Sequence, residues 1–192
     1  NKMYKKELAK DAPEGKEISV TMLAGGPGVG KSTVASQVGG KSHIVVDTNL
    51  ANFERAVKDI DEAIAAGKDV KIAYTWMDPV KAFIGGVMGG KNRKGRTVPY
   101  EVAVDISKNS LETIIKLSEH YKDNENVVIS YFDNNFKKGE AKPLSLENVK
   151  EIEIDSKQAK KDIKNEIERQ RTEEDLSDDK YYGFLGDIET GL

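Results

Sequence analysis

The chain has 192 residues, with 30 basic and 33 acidic side chains, a formal net charge of -3 and no cysteine. That balance supplies no field favouring nucleic acid or an anionic membrane surface. The lack of cysteine excludes disulfides, thiolate metal sites and cysteine nucleophiles, and a cytoplasmic location is the expectation that goes with it.

The length suits one domain plus appendages. No apolar run approaches the ~20 residues of a membrane span, and the N-terminus does not read as a signal peptide. Because it begins at Asn1 rather than Met, the sequence reads as a trimmed chain or as a domain cut from a larger protein.

Residues 1–17 are polar and read as a lead-in, with one helical turn near Tyr4 to Leu8. The core is expected to begin at Ile18, with a strand from Ile18 to Ala24. Residues Gly25 to Ser32 then read G-G-P-G-V-G-K-S and fit the pattern G-x-x-x-x-G-K-[ST] without departure. Ser32 to Val38 reads as a helix leaving this loop. Strand, glycine-rich loop and helix in that order are the context in which such a loop binds phosphate.

The next strand is His43 to Asp47, a continuously apolar run of the kind buried on both faces of a parallel sheet. Asn49 is placed to cap a helix over Leu50 to Ala66, with Gly67 as its stop. Phe53, Val57, Ile60 and Ile64 fall at helical spacing and are core by pattern. Val70 to Trp76 is the third strand. Asp78-Pro79 opens a further helix, with Asp at the cap and Pro at the first position.

From Gly85 to Gly95 the chain is rich in glycine and cations, with Lys91, Arg93, Lys94 and then Arg96. It reads as a mobile basic loop suited to covering phosphates. A long helical segment follows from Pro99 to about Tyr121. Asn109-Ser110-Leu111-Glu112 forms a capping-box pattern that would divide it in two.

Val127 to Phe132 is the fourth strand, Lys137 to Lys142 a charged loop, and Ile152 with Ile154 a short edge strand. Ala159, Ile163 and Ile167 give a thin apolar stripe suited to a surface helix. Residues 173–192 are acidic and read as disordered, except for the cluster Tyr181 to Leu185, which could dock on the core.

The alternation of strand and helix predicts an α/β fold, a P-loop NTPase three-layer sandwich. Its sheet would be mostly parallel, with about 4–5 strands and helices on both faces. The expected organisation is a lead-in over 1–17, a P-loop kinase-like domain over 18–154 and a charged C-terminal helix with a disordered tail over 155–192. The ligand is expected at the carboxyl ends of the strands. The loop, Asp47-Thr48, Trp76-Met77-Asp78 and Asp133-Asn134 all fall there.

The chemistry follows from residue type. Backbone N–H groups across Gly26, Pro27, Gly28, Val29, Gly30, Lys31, Ser32 and Thr33 would cradle phosphate oxygens, although Pro27 itself lacks that donor. Lys31 would reach the β/γ-phosphates, and the Ser32 hydroxyl would sit on Mg²⁺. Asp47, ending an apolar strand, is placed to hold Mg²⁺ through water or to accept a proton from an attacking hydroxyl. Its alternative role is a helix cap.

Arg93 and Arg96 would clamp the phosphates and the transferred group; their alternative is a solvated basic loop. Asn134 joins the expected nucleotide-binding set. The cofactors expected are ATP or GTP with Mg²⁺. Asp78 reads as a cap, His43 and His120 as structural, and Trp76 as core.

Taken together, G-G-P-G-V-G-K-S-T at Gly25 to Thr33, D-T-N at Asp47 to Asn49, V-K-I-A-Y-T-W-M-D-P-V-K-A-F at Val70 to Phe83 and G-R-T-V-P at Gly95 to Pro99 resemble the zeta-toxin family of P-loop kinases. Asp105 and Asn109 to Thr113 extend the likeness. It covers about Ile18 to Asn135, and only the phosphate loop is specific by itself.

The resemblance implies a kinase whose acceptor is a small-molecule hydroxyl, UDP-N-acetylglucosamine in most relatives. It implies that Arg96 touches ATP phosphates and that a strand-end acid activates the sugar hydroxyl. An antitoxin, or the rest of a larger mobile-element or phage polypeptide, is the implied protein partner.

Two departures accompany it. This chain has one strand–acid segment before Val70 where relatives have two, and Val104 stands where a histidine commonly precedes the acid. Three functions therefore stay open. The first is a Mg²⁺·ATP-dependent phosphotransferase on a small molecule. The second is a kinase acting on a nucleotide or a nucleic-acid end, the latter disfavoured by the charge balance. The third is a nucleotide-binding regulatory or docking module without turnover.

Overall fold

The structure is a computed structural model and describes residues 2–38, 40–89, 97–136, 140–173 and 176–186. In chain order its elements are α1 (Lys2–Leu8), β1 (Glu17–Ala24), α2 (Lys31–Val38), β2 (Ser42–Asp47), α3 (Phe53–Ala65), β3 (Asp69–Trp76) and α4 (Pro79–Lys81). A π-helix over Ala82–Met88 continues α4. Then come α5 (Tyr100–His120), β4 (Val127–Asp133), β5 (Lys142–Leu144), α6 (Leu146–Lys150), α7 (Ser156–Thr172) and α8 (Asp178–Leu185).

The fold is α/β, with a five-stranded sheet in the order β2-β1-β3-β4-β5. β1, β2, β3 and β4 run parallel, and β5 closes one margin antiparallel to β4. The continuously apolar run His43 to Asp47, expected to be buried on both faces, is instead the edge strand β2, with Val45 exposed on one face; the most buried strands are the central β1 and β3. Val20, Met22 and Ala24 on β1 and Val70, Ile72 and Tyr74 on β3 are buried, which is what strands flanked on both sides require.

From β1 the chain steps to β2 through α2, then crosses back over β1 to β3 through α3. That reversal makes a switch point between β1 and β3, and a crevice opens at the carboxyl ends there.

The two sheet faces differ. α1, α3 and α5 cover one, around a cluster that includes Ile60, Ile72, Tyr74, Ile114 and Leu117. Complete burial of side chains of this size contributes ~1.5–3 kcal/mol each. The opposite face carries α2, which packs Val34 on Leu23 and Ala73. Val45 and Val128 on that face are 47% and 57% exposed. The outer layer expected there is thus a single helix among the described residues.

A second cluster lies beside the sheet, where Phe83 and Val87 of the π-helix meet Tyr100 and Val104 of α5, Ile163 and Ile167 of α7, and Phe184 of α8.

Several expectations are corrected. α3 begins at Phe53, capped by Asn52, whose Oδ1 accepts from Arg55 N at 2.8 Å. Asn49 is occupied otherwise: its Oδ1 accepts from Ala51 N at 3.1 Å. The segment 100–120 is one helix, not two. The Asn109–Glu112 pattern lies mid-helix, where Ser107 and Ser118 donate to the carbonyls of Ala103 and Ile114 four residues back.

Ile152 and Ile154 do not form the edge strand. They pack as irregular chain against the first cluster, and Lys142–Leu144 takes the edge, where Pro143 is tolerated. The lead-in also joins the core. Tyr4 and Leu8 are buried, and Tyr4 Oη donates to Asp59 O at 2.9 Å. The cluster Tyr181 to Leu185 does dock, as the sequence allowed, with Phe184 buried, but as part of a helix that begins earlier, at Asp178. Residues 174–175 and 187–192 lie outside the described residues.

Candidate phosphate-binding site

The loop between β1 and α2 is set by glycine backbone geometry. Gly25, Gly28 and Gly30 have φ of 128°, 81° and 86°, a region that side-chain-bearing residues rarely enter. The four loop glycines also press against four different elements.

A Cβ placed on Gly25 would lie 2.4 Å from Thr75 O on β3, and one on Gly26 would lie 2.1 Å from Ser107 Oγ on α5. On Gly28 it would lie 2.2 Å from Ala82 O in the π-helix, and on Gly30 2.3 Å from Asn134 Nδ2 after β4. A side chain at any of these positions would force its neighbour to move, backbone at Gly25 and Gly28 and a side chain at Gly26 and Gly30. The loop is therefore held from below and from the sides, and its course is fixed by packing before any ligand arrives.

Asn134 is buried. Its Nδ2 donates to Val29 O at 2.8 Å, and its backbone N donates to Trp76 O at 2.9 Å. It ties the end of β4 to the underside of the loop. Its Oδ1 and Thr75 Oγ1, both buried beside the loop, have no hydrogen-bond partner among the described residues.

Behind these, burial raises the Tyr74 hydroxyl well above its ordinary range, so it remains protonated and contributes no charge beneath the loop.

Lys31 opens α2. Its Nζ donates to Gly25 O at 3.0 Å and Gly26 O at 3.2 Å, so the ammonium is folded over the loop. Asp47 Oδ1 lies 3.9 Å from it. β2 runs beside β1 with Asp47 opposite Leu23, which delivers this carboxylate to the mouth of the loop. Its side chain is 74% exposed, against 16% for Lys31. Asp47 is not the cap of α3, since Asn52 holds that place.

The chain after Asp47 is fastened to the loop by Asn49 O, which accepts from Gly25 N at 3.4 Å and from Ser110 Oγ at 2.5 Å. Leu50 next to it has φ of 47°, a strained conformation for a residue with a branched side chain. Burial of its side chain holds it there.

Ser32 is exposed in the first turn of α2 and Thr33 is half-buried, with Thr33 N donating to Gly30 O at 2.9 Å. Pro27 and Gly28 are half-buried and Val29 is buried.

The structure thus brings Gly26, Pro27, Gly28, Val29, Gly30, Lys31, Asp47 and Asn134 into one constellation. Arg93 and Arg96 lie outside the described residues. Asp78 caps α4, accepting from Val80 N and Lys81 N at 3.0 Å each. His43 Nδ1 meets Lys68 Nζ at 3.3 Å, and His120 packs edge-on against Phe53 and Tyr121.

The fit to a metal is limited in kind. Among the described residues no three His, Cys, Asp or Glu side chains cluster. One hydroxyl, Ser32, and one carboxylate, Asp47, suit Mg²⁺ held mainly by phosphate oxygens and water. They do not suit a cation needing an all-protein cage.

Sequence reasoning missed Ser107, Thr75 and Gly86. Each supports the loop from a distant element, and nothing in their local sequence marks them.

No protein-family model matches this chain, and no curated protein matches it. Among the described residues no helix is long and apolar enough to cross a membrane.

Proposed function

We propose that this chain is a Mg²⁺·ATP-dependent phosphotransferase of the zeta-toxin type, acting on the hydroxyl of a small molecule such as a nucleotide-sugar. The observation that carries the reading is the convergence of Lys31 and Asp47 at 3.9 Å, over a loop whose four glycines are each wedged against a separate element. Such a loop is preorganised. Its backbone course is already fixed by packing, so little ordering cost is left for binding.

Lys31 would exchange the carbonyls of Gly25 and Gly26 for β/γ-phosphate oxygens. Ser32 and, through water, Asp47 would hold Mg²⁺, which neutralises phosphate charge when bound. The acceptor oxygen forms a bond to the γ-phosphorus as the bond to the β–γ bridging oxygen breaks. The nucleoside diphosphate leaves, and the hydroxyl proton passes to Asp47.

A second reading is a nucleotide-binding module without turnover. It is favoured by the occupation of Asp78 in capping α4, which leaves Asp47 to serve both metal and proton.

Calorimetry and a transfer assay separate these. Wild type is expected to bind Mg²⁺·ATP, and Lys31→Ala to weaken that binding at least tenfold. Unchanged affinity in Lys31→Ala would overturn the phosphate-loop reading. Asp47→Asn is expected to lower transfer of labelled γ-phosphate to nucleotide-sugars by at least a hundredfold, within the range of a lost general base. Binding without transfer to any hydroxyl acceptor in wild type selects the second reading.

A further inference from the structure

The glycine- and cation-rich stretch begins inside a π-helix, Ala82–Met88, an uncommon geometry that tends to occur where function constrains the backbone. Its contact with the phosphate loop is backbone on backbone. A Cβ on Gly86 would lie 2.3 Å from Gly28 O, 2.6 Å from Gly28 Cα and 2.8 Å from Gly28 C. A Cβ on Gly28 would in turn lie 2.2 Å from Ala82 O and 3.1 Å from Val87 Cγ2. The π-helix therefore closes on Gly28 from three of its own positions, Ala82, Gly86 and Val87.

It cannot retreat easily. Phe83 and Val87 are buried in the second cluster, and Phe83 meets the Phe184 ring edge-on at 5.5 Å. The neighbouring Gly85 is different, since a Cβ there meets nothing within 4 Å.

We infer that Gly86 is a positioning residue of the phosphate loop: the π-helix acts as a clamp on Gly28, and the fit of a triphosphate depends on that clamp without Gly86 touching the ligand. The inference rests on the phosphate-loop reading above, but one of its tests does not. A methyl group at position 86 meets only backbone atoms of Gly28, which have no rotamer to turn aside. The displaced part must be the loop itself, at the left-handed Gly28 between Pro27 and Val29. Position 85 lies in the same π-helix and carries the same change in backbone freedom, so it isolates the contact from the helix.

The experiment compares Gly86→Ala, Gly85→Ala and wild type in the full chain, by calorimetry with Mg²⁺·ATP and by amide hydrogen exchange over residues 25–31. Gly86→Ala is expected to weaken ATP at least tenfold and to speed exchange in the loop, while exchange in β1 and β3 is unchanged. Gly85→Ala is expected to stay within twofold of wild type in both.

Gly86→Ala binding within twofold of wild type, with unchanged loop exchange, would overturn the inference. So would equal losses in the two variants. If wild type binds no ATP, the phosphate-loop reading fails, and loop exchange alone decides the clamp.

Should Gly86→Ala not fold, Val87→Ala takes its place. Removing the Val87 side chain, which fills the space beside Gly28 where a Cβ would stand, is expected to loosen Gly28, raising loop exchange and weakening ATP severalfold. A folded Val87→Ala with native loop exchange would overturn the clamp.

Discussion

The two hydrophobic clusters are made from different kinds of chain. The larger, beneath the sheet, draws on β1, β3, α3 and α5. Those segments carry dense apolar runs or wide helical faces. The smaller draws on the π-helix, the first half of α5, α7 and α8, which read in sequence as a helix running into a basic loop, a helix, a surface helix and a short aromatic cluster in an acidic tail.

Yet Ile163 and Ile167 of α7 are as fully buried as Ile60 or Ile114. A stripe one residue wide is enough when several elements enclose it, here the π-helix, α5 and α8. Charged residues on either side reach water or pair, as Lys160 does with Asp105 at 2.7 Å. Complete burial of a position depends on what lies opposite it, and a highly charged helix does not advertise that.

If the clusters are separable, substitutions should divide along the same line. The largest effect is expected from Ile114→Ala in the first cluster. It should cost about 2–5 kcal/mol, measured by urea denaturation, with faster exchange across the whole sheet. A loss under ~1 kcal/mol would mean that the site collapses around the gap, and that the larger cluster is the more plastic.

Phe184→Ala removes a comparable volume from the second cluster, but α8 can undock without dragging β1 or β3 with it. Its cost is expected to be smaller than that of Ile114→Ala, with accelerated exchange confined to α8, α7 and the π-helix. Acceleration in the strands to the same degree would make the clusters one cooperative unit.

The smallest effect concerns the outer face of α7. A hydrogen bond from Arg169, then one from Gln170, holds the Glu166 carboxyl down at about 2. Its folded-state value is depressed, so its contribution is present above the ordinary carboxylate range and is lost as pH falls through about 2. Arg169 is exposed and Glu166 half-buried at the protein surface, so solvent screens the pair, and Glu166→Gln at neutral pH is expected to shift the melting temperature by only about 1–2 °C. A larger shift would tie this surface to the cluster beneath it.

Much of the first cluster was legible because strand burial is local. His43 to Asp47 and Val70 to Trp76 announce themselves as apolar runs, and both are strands within a residue or two of the expected ends. The placing of the glycine-rich loop between a strand and a helix was legible for the same reason, as was the Asp78 cap.

What escaped depends on distance along the chain. Ser107 is an ordinary helical serine until Gly26 is pressed against it, and Gly86 is one glycine among several until Gly28 lies beneath it. Tyr4 and Leu8 are two apolar residues in a polar stretch, and only α3 gives them a floor. Asn49 looked like a cap because its side chain suits one. Its carbonyl was instead needed by Gly25 N and Ser110 Oγ, and the cap moved on to Asn52.

The bond from Asn134 to Val29 O spans 105 positions. Chains are synthesised at roughly 5–20 residues per second. The phosphate loop therefore leaves the ribosome roughly 5–20 seconds before the residue that underpins it. During that interval strand, loop and helix can all exist while the loop lacks its support from β4. If the loop binds nucleotide as proposed, binding is complete only once the fourth strand has been laid into the sheet and Asn134 has reached Val29.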